Sequence, residues 1–248
     1  MQRRHFLLHS TAAFLAAPVF AGRAAEEAPA EVDVLLVLAA DVSRSMDEEE
    51  ARLQREGYAA ALEDPRVLEA VRGGPMGSIA IAYVEWSGTE HQRLLLPWTR
   101  LDGAADAARI AGHLRREPLQ LGTWTALSAA IDYSVRLLSL APFQSDRRVV
   151  DISGDGMNNA GPPAHEARDR AVAEGIIING LPVMKPGSPF GMGTDSMQGL
   201  PLDSYYRESV MGGAGAFVLP AEDFVTFGQA VRRKLVLEIA ESGRQRLG

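Results

Sequence analysis

The sequence contains no cysteine. That absence excludes a disulfide scaffold, a zinc ribbon, a cysteine nucleophile and a thiolate-bound iron–sulfur site. Basic residues are also in deficit: 25 Lys and Arg stand against 32 Asp and Glu, for a formal net charge of -7. Phosphate backbones are bound by clustered Lys and Arg, so nucleic acid is not the expected partner. Beyond the first 25 residues there is no second long apolar run, so the mature chain is expected to have no integral membrane segment. What is present, 248 residues with 46% hydrophobic and 23% charged, is the composition of a folded chain. It suffices for one ordinary domain or at most two small ones.

Residues 1–25 read MQRRHFLLHSTAAFLAAPVFAGRAA. A basic start, an apolar run from Phe14 to Phe20 and then small residues follow the order of a secretory signal, with Ala21 a plausible last residue before cleavage. Arg3-Arg4-His5-Phe6-Leu7 also resembles the twin-arginine export signal. Residues 1–25 are thus expected to be a cleaved export signal, and the mature protein to be periplasmic or secreted. Ala24 and Ala25 are alternative sites, and removal of the whole segment 1–25 takes away Arg3, Arg4 and Arg23 and no acid, leaving a still more acidic domain.

From residue 26 onward strands and helices alternate. Strands are expected over 31–40, 78–86, 92–98, 147–153, 175–181 and 215–219. Helices are expected over 47–62, 102–116, 124–140, 163–174 and 221–240, the first opened by a capping box of Ser45 and Glu48. Trp86, Trp98 and Trp124 are expected to pack in the core or at its edge. The short Ser87-Gly88-Thr89 turn makes the second and third strands an antiparallel pair. The pattern predicts a single α/β domain over 26–248. Its Rossmann-like open sheet has six strands, mostly parallel, with one antiparallel edge strand and helices on both faces. In such sheets ligands bind beyond the carboxyl ends of the strands.

Those ends carry similar chemistry. Asp41-Val42-Ser43-Arg44-Ser45 follows the first strand, Gly122-Thr123-Trp124-Thr125 precedes a helix, and Gly154-Asp155-Gly156 follows the fourth strand. Two carboxylates and several hydroxyls form a hard oxygen set that suits Mg²⁺, Mn²⁺ or Ca²⁺. Alternate residues of an extended loop point the same way, so D-x-S-x-S spacing lets Asp41, Ser43 and Ser45 converge on one ion. The bland alternative is a helix-capping loop without metal.

The three motifs, in this order on this α/β pattern, resemble the metal-ion-dependent adhesion site of the von Willebrand factor A domain. The resemblance covers roughly residues 31–240. The phrases YVEWSG, DISGDGMNN and INGLPVM further resemble an uncharacterised exported bacterial branch of that superfamily. The resemblance implies a metal site of Asp41, Ser43, Ser45, Thr123 and Asp155, with Thr125 the less favoured choice for the threonine. It also implies an open coordination position filled by an Asp or Glu of a partner protein. The expected function is an exported, non-enzymatic module that captures an acidic group of a partner through a divalent cation. The alternative is a metal-dependent hydrolase or phosphoryl-transfer enzyme, which needs a general base or nucleophile beside the ion. No G-x-S-x-G or P-loop motif is present.

The Pro-, Gly- and Met-rich stretch 182–203 is expected to be a long loop at the same sheet edge, either a partner-adaptable rim or a spacer. Asp151 is expected to make a core hydrogen bond or salt bridge, and Asn158 and Asn159 to bond loop backbone.

Overall fold

The computed structural model describes residues 29–184 and 200–240. The export signal expected over 1–25, and most of the loop expected over 182–203, lie outside the described residues.

Seven strands form. They are β1 (Ala30–Glu31), β2 (Leu35–Asp41), β3 (Ile79–Trp86), β4 (Gln92–Leu101), β5 (Phe143–Gln144), β6 (Arg148–Gly154) and β7 (Ile177–Pro182). The main sheet has five strands in the order β4-β3-β2-β6-β7, and β1 pairs with β5 in a small separate ribbon. Every neighbour in the main sheet is parallel except β4, which runs antiparallel to β3 at the edge. The expected class therefore holds, and so does the antiparallel edge.

The sixth expected strand, 215–219, is a correction. The segment does lie beside β7, through the parallel bridges Gly180↔Val218 and Val183↔Ala221. It donates Leu219 N–H to Gly180 O and Ala221 N–H to Pro182 O. Pro182 lacks the N–H group that would continue the ladder between these bridges, so no regular strand results.

The helices are α1 (Glu48–Glu63), α2 (Pro65–Arg72), α3 (Ala104–Arg116), α4 (Leu127–Ser139), α5 (Ala164–Ala173), the single turn α6 (Leu202–Tyr205) running into a π turn (Tyr206–Val210), and α7 (Phe227–Ala240). The pleat of the central strand sorts them into two layers. Leu36, Leu38 and Ala40 meet Tyr58, Leu62, Leu114, Phe227 and Leu235 on one face. Leu35, Val37 and Ala39 meet Leu127, Ile131, Ala167, Tyr206 and Val210 on the other. On the first face α1 and α7 approach closely, because a Cβ on Gly57 would lie 3.1 Å from Gly228 Cα.

Three local expectations shift. The capping box of α1 is Asp47 with Glu50, whose side chain and backbone bonds are reciprocal, not Ser45 with Glu48. Ser45 is used elsewhere, as described below. α4 starts at Leu127, so Trp124 lies ahead of the helix and is 64% exposed instead of packed. α7 starts six residues later than expected, after a turn in which Asp223 Oδ1 accepts from Thr226 N–H at 2.7 Å. The short α2 was not expected at all, although Asp64 as N-cap and Pro65 in its first turn are ordinary start signals.

Candidate metal centre

β2 is the central strand. The chain leaves it through α1 and α2 toward β3 on one side, while β6 flanks it on the other. The strand order therefore reverses between β2 and β6, and a crevice opens there at their carboxyl ends. Asp41 is the last residue of β2, and Asp155 is the first after β6.

Beyond β2 the chain turns sharply. Asp41 Oδ1 accepts Ser43 N–H at 2.7 Å, and Gln54 Nε2 of α1 donates to Asp41 O at 2.7 Å. The turn puts Ser43 Oγ 3.0 Å from Ser45 Oγ, and Ser45 Oγ donates to Asp155 Oδ1 at 2.5 Å. Gly122 N–H donates to Val42 O at 2.9 Å, which pins the threonine loop beside the first loop. Thr125 Oγ1 then lies 3.4 Å from Ser43 Oγ and is buried.

Of the residues predicted, Asp41, Ser43, Ser45 and Asp155 thus come together. Thr123 does not: it is exposed, and Thr125 occupies the position expected of it. A contact across the fold makes the choice. Asn159 Oδ1 accepts Thr125 N–H at 2.7 Å and Asn159 N–H donates to Thr125 O at 2.8 Å, so Thr125 is gripped from both sides. The backbone reverses just before it, at Trp124, whose φ is +70°. Asn159 therefore bonds loop backbone as expected, and Asn158 does too, donating through Nδ2 to Pro162 O at 3.0 Å. Sequence reasoning missed that Asn159 selects the threonine. It also missed Gln54, whose only signal was a polar residue on the inner face of an amphipathic helix.

The electrostatics are unfavourable without a cation. Asp41 is fully buried, and Asp155 is 2% exposed. Burial first, and then the charge of Asp155, hold the Asp41 carboxyl well above the usual carboxylate range. Asp41 Oδ2 is buried and has no hydrogen-bond partner among the described residues, an arrangement that costs free energy unless something cationic faces it. Two carboxylates and three hydroxyls on a partly desolvated ledge fit a hard divalent ion. The cradle is tight. A Cβ on Gly154 would sit 2.8 Å from Asp41 Oδ2, 2.9 Å from Tyr206 OH and 3.1 Å from Asp41 Cβ. Gly154→Ala should therefore displace Asp41, destabilise the fold by about 1–3 kcal/mol and weaken any cation binding at least about tenfold. Denaturant melts and a Mg²⁺ titration of the variant check both effects.

Residues 31–243 match the family described as "Protein of unknown function (DUF1194)". Among curated proteins none matches the sequence. Similar solved structures include the proximal thread matrix protein 1 of the mussel byssus, at 14% identity and a TM-score of 0.60, over 85% of this chain and 48% of that one. The same mussel protein also has a structure with a zinc-occupied MIDAS motif. A von Willebrand factor type A structure from Catenulispora acidiphila matches at 16% identity and a TM-score of 0.56, over 86% of this chain and 43% of that one. The pilus adhesin SpaC from Lactobacillus rhamnosus GG matches at 12% identity and a TM-score of 0.58, over 87% of this chain and 30% of that one. This chain thus spans less than half the length of each of the three, and the likeness is one of fold.

Proposed function

The chain belongs to the DUF1194 family of unknown function, here with a von Willebrand factor A fold, and from that premise we propose that it is a non-enzymatic, cation-dependent protein-binding module. The observation that carries the reading is the convergence of Asp41, Ser43, Ser45, Thr125 and Asp155 at the switch point of the sheet. These residues would hold the ion, with Thr125 in place of Thr123. When bound, the ion would supply positive charge to the crevice and could take an Asp or Glu of a partner as a further ligand. The chain's own part is to hold five oxygens in place, through Gln54 on one loop and Asn159 on another. Structural neighbours named as a matrix protein and a pilus adhesin support an interaction role.

The hard oxygen set favours Mg²⁺, Mn²⁺ or Ca²⁺. The zinc in the mussel protein makes Zn²⁺ a necessary comparison. We further propose that residues 1–25 export the protein, by the twin-arginine route, and that 26–248 act as one domain outside the cytoplasm. Among the described residues no helix is long and apolar enough to cross a membrane.

Calorimetric titration of the mature protein tests the site. Thr125→Val should weaken Mg²⁺ binding by about tenfold or more, the equivalent of about 1.4 kcal/mol for a lost ligand, while Thr123→Val leaves it unchanged. The reverse ranking would return the assignment to Thr123. Peptides bearing Asp or Glu should be retained in Mg²⁺ and released by EDTA, and their Asn or Gln counterparts should not be retained. Retention that ignores both changes would remove the capture mechanism.

A further inference from the structure

Beside the cluster stands a side chain that the ion does not need. Trp124 is 64% exposed, and among the described residues it is the one non-glycine at positive φ. Both features are costly for a tryptophan: indole is normally buried, and the left-handed region crowds its Cβ. The flanks explain how the conformation persists. Thr125 is bonded through both its N–H and its C=O to Asn159, and Gly122 is bonded to Val42. Gly88 packs under the loop, where a Cβ would lie 2.8 Å from Thr123 O and 3.8 Å from Trp124 Cβ. The loop is thus over-determined on either side of residue 124, and backbone strain kept in this way is a mark of functional sites. The same loop leaves Leu121 38% exposed.

We propose that Trp124 is a specificity-determining anchor. Its platform, with Leu121, receives an apolar side chain that neighbours the partner's coordinating carboxylate. The occupant is a partner segment in which an Asp or Glu is directly followed or preceded by a large aliphatic or aromatic residue. This inference rests on the proposed capture of an acid at the ion. Trp124 immediately precedes Thr125, whose hydroxyl lies 3.4 Å from Ser43 Oγ, so the exposed indole belongs to the loop that borders the cluster. A rigid exposed tryptophan gives large contact area with little ordering cost, and such residues dominate interface energetics. Leu121, part-exposed three residues earlier in the same loop, adds apolar surface, which suits an aliphatic or aromatic neighbour.

The experiment uses the mature protein and immobilised peptides with one Asp flanked by Phe, Leu, Gly or Lys. Wild type in Mg²⁺ should bind the Phe and Leu peptides at least about tenfold more tightly than the Gly peptide, the factor expected of one good aromatic contact. Trp124→Ala should abolish that preference and bind the Gly peptide as wild type does. Its Mg²⁺-induced rise in Tm should be unchanged, which separates a lost anchor from a damaged metal site. Trp124→Gly should also lose the preference, yet raise the Tm of the metal-free protein by about 2–4 °C through relief of the positive φ. EDTA-sensitive binding with equal affinity for all flanks, a preference for Lys, or a preference that survives Trp124→Ala would each overturn the anchor while leaving acid capture intact. If no peptide bound in an EDTA-sensitive way, acid capture and the anchor would fall together.

Discussion

Saturating Mg²⁺ should raise the melting temperature of the protein by roughly 5–10 °C, and Asp155→Asn should erase that rise without lowering the melting temperature of the metal-free protein. The first half is mass action. A ligand present at about a hundred times its dissociation constant and bound only by the native state contributes about 2.7 kcal/mol, and a domain of this size gains about 2–4 °C per kcal/mol. The second half follows from the two carboxylates. Asp41 and Asp155 are both buried at the carboxyl ends of β2 and β6, and the charge of Asp155 adds to the burial cost that Asp41 already carries. Asparagine keeps an oxygen to accept from Ser45 but removes the like charge, so the metal-free fold loses a repulsion while the site loses a charged ligand. An ordinary structural aspartate would behave oppositely, its loss lowering stability in Mg²⁺ and EDTA alike. Scanning calorimetry of both proteins in each buffer decides it, and a Mg²⁺ shift retained by Asp155→Asn would remove Asp155 from the site.

How far the sequence reaches can be judged from the same residues. Asp41 and Asp155 were legible because each follows a buried strand, and the rule that ligands gather at carboxyl strand ends places them together without coordinates. The five main strands were legible for the same reason: alternating or continuous Val, Ile and Leu runs leave little choice of layer. The threonine was not legible. Thr123 and Thr125 have the same chemistry two residues apart, and the choice between them is made by Asn159, 34 positions away, together with an unusual φ at Trp124. The expected sixth strand, 215–219, lies beside β7 only through isolated bridges, because Pro182 has no N–H to carry the ladder on from Gly180. The helix cap shifted by two residues because Asp155 draws Ser45 away through a contact across the fold. Errors thus cluster where a long-range hydrogen bond decides between two locally equivalent residues.

Lys234→Met should be the most damaging single change away from the crevice, costing about 3–5 kcal/mol and lowering the melting temperature by roughly 10 °C or more. Lys234 lies on α7 with no exposure, which the sequence pattern did not flag. Its Nζ is 2.6 Å from Asp151 Oδ1 of β6 and 2.6 Å from Glu238 Oε1 one helical turn on. Asn179 Nδ2 donates to Glu238 Oε1 at 2.8 Å, so the ammonium ties the last helix to β6 and, through Glu238 and Asn179, to β7. The expected core ion pair of Asp151 is therefore present, with two buried acids sharing one buried cation. Burial and the charge of Glu238 push Asp151 up to about 7, while Lys234 pulls it down. Because the folded value lies above the ordinary 3.8, this group stabilises the fold most in acid. Its contribution declines as pH rises through about 7 and is constant above that. Without the ammonium, Asp151 would hold its proton to still higher pH, and the decline in melting temperature should continue beyond pH 7 where that of the wild type has levelled. The neighbouring Tyr58 stays neutral throughout, since burial holds its hydroxyl well above the ordinary 10. A triple variant, Lys234→Met with Asp151→Asn and Glu238→Gln, removes every charge from the cluster and should recover most of the lost stability, because the penalty is the uncompensated charge and not the missing side chain. Melts from pH 5 to 9 on the three proteins test this. A Lys234→Met profile parallel to wild type and within about 1 kcal/mol of it would show that the ammonium holds nothing together.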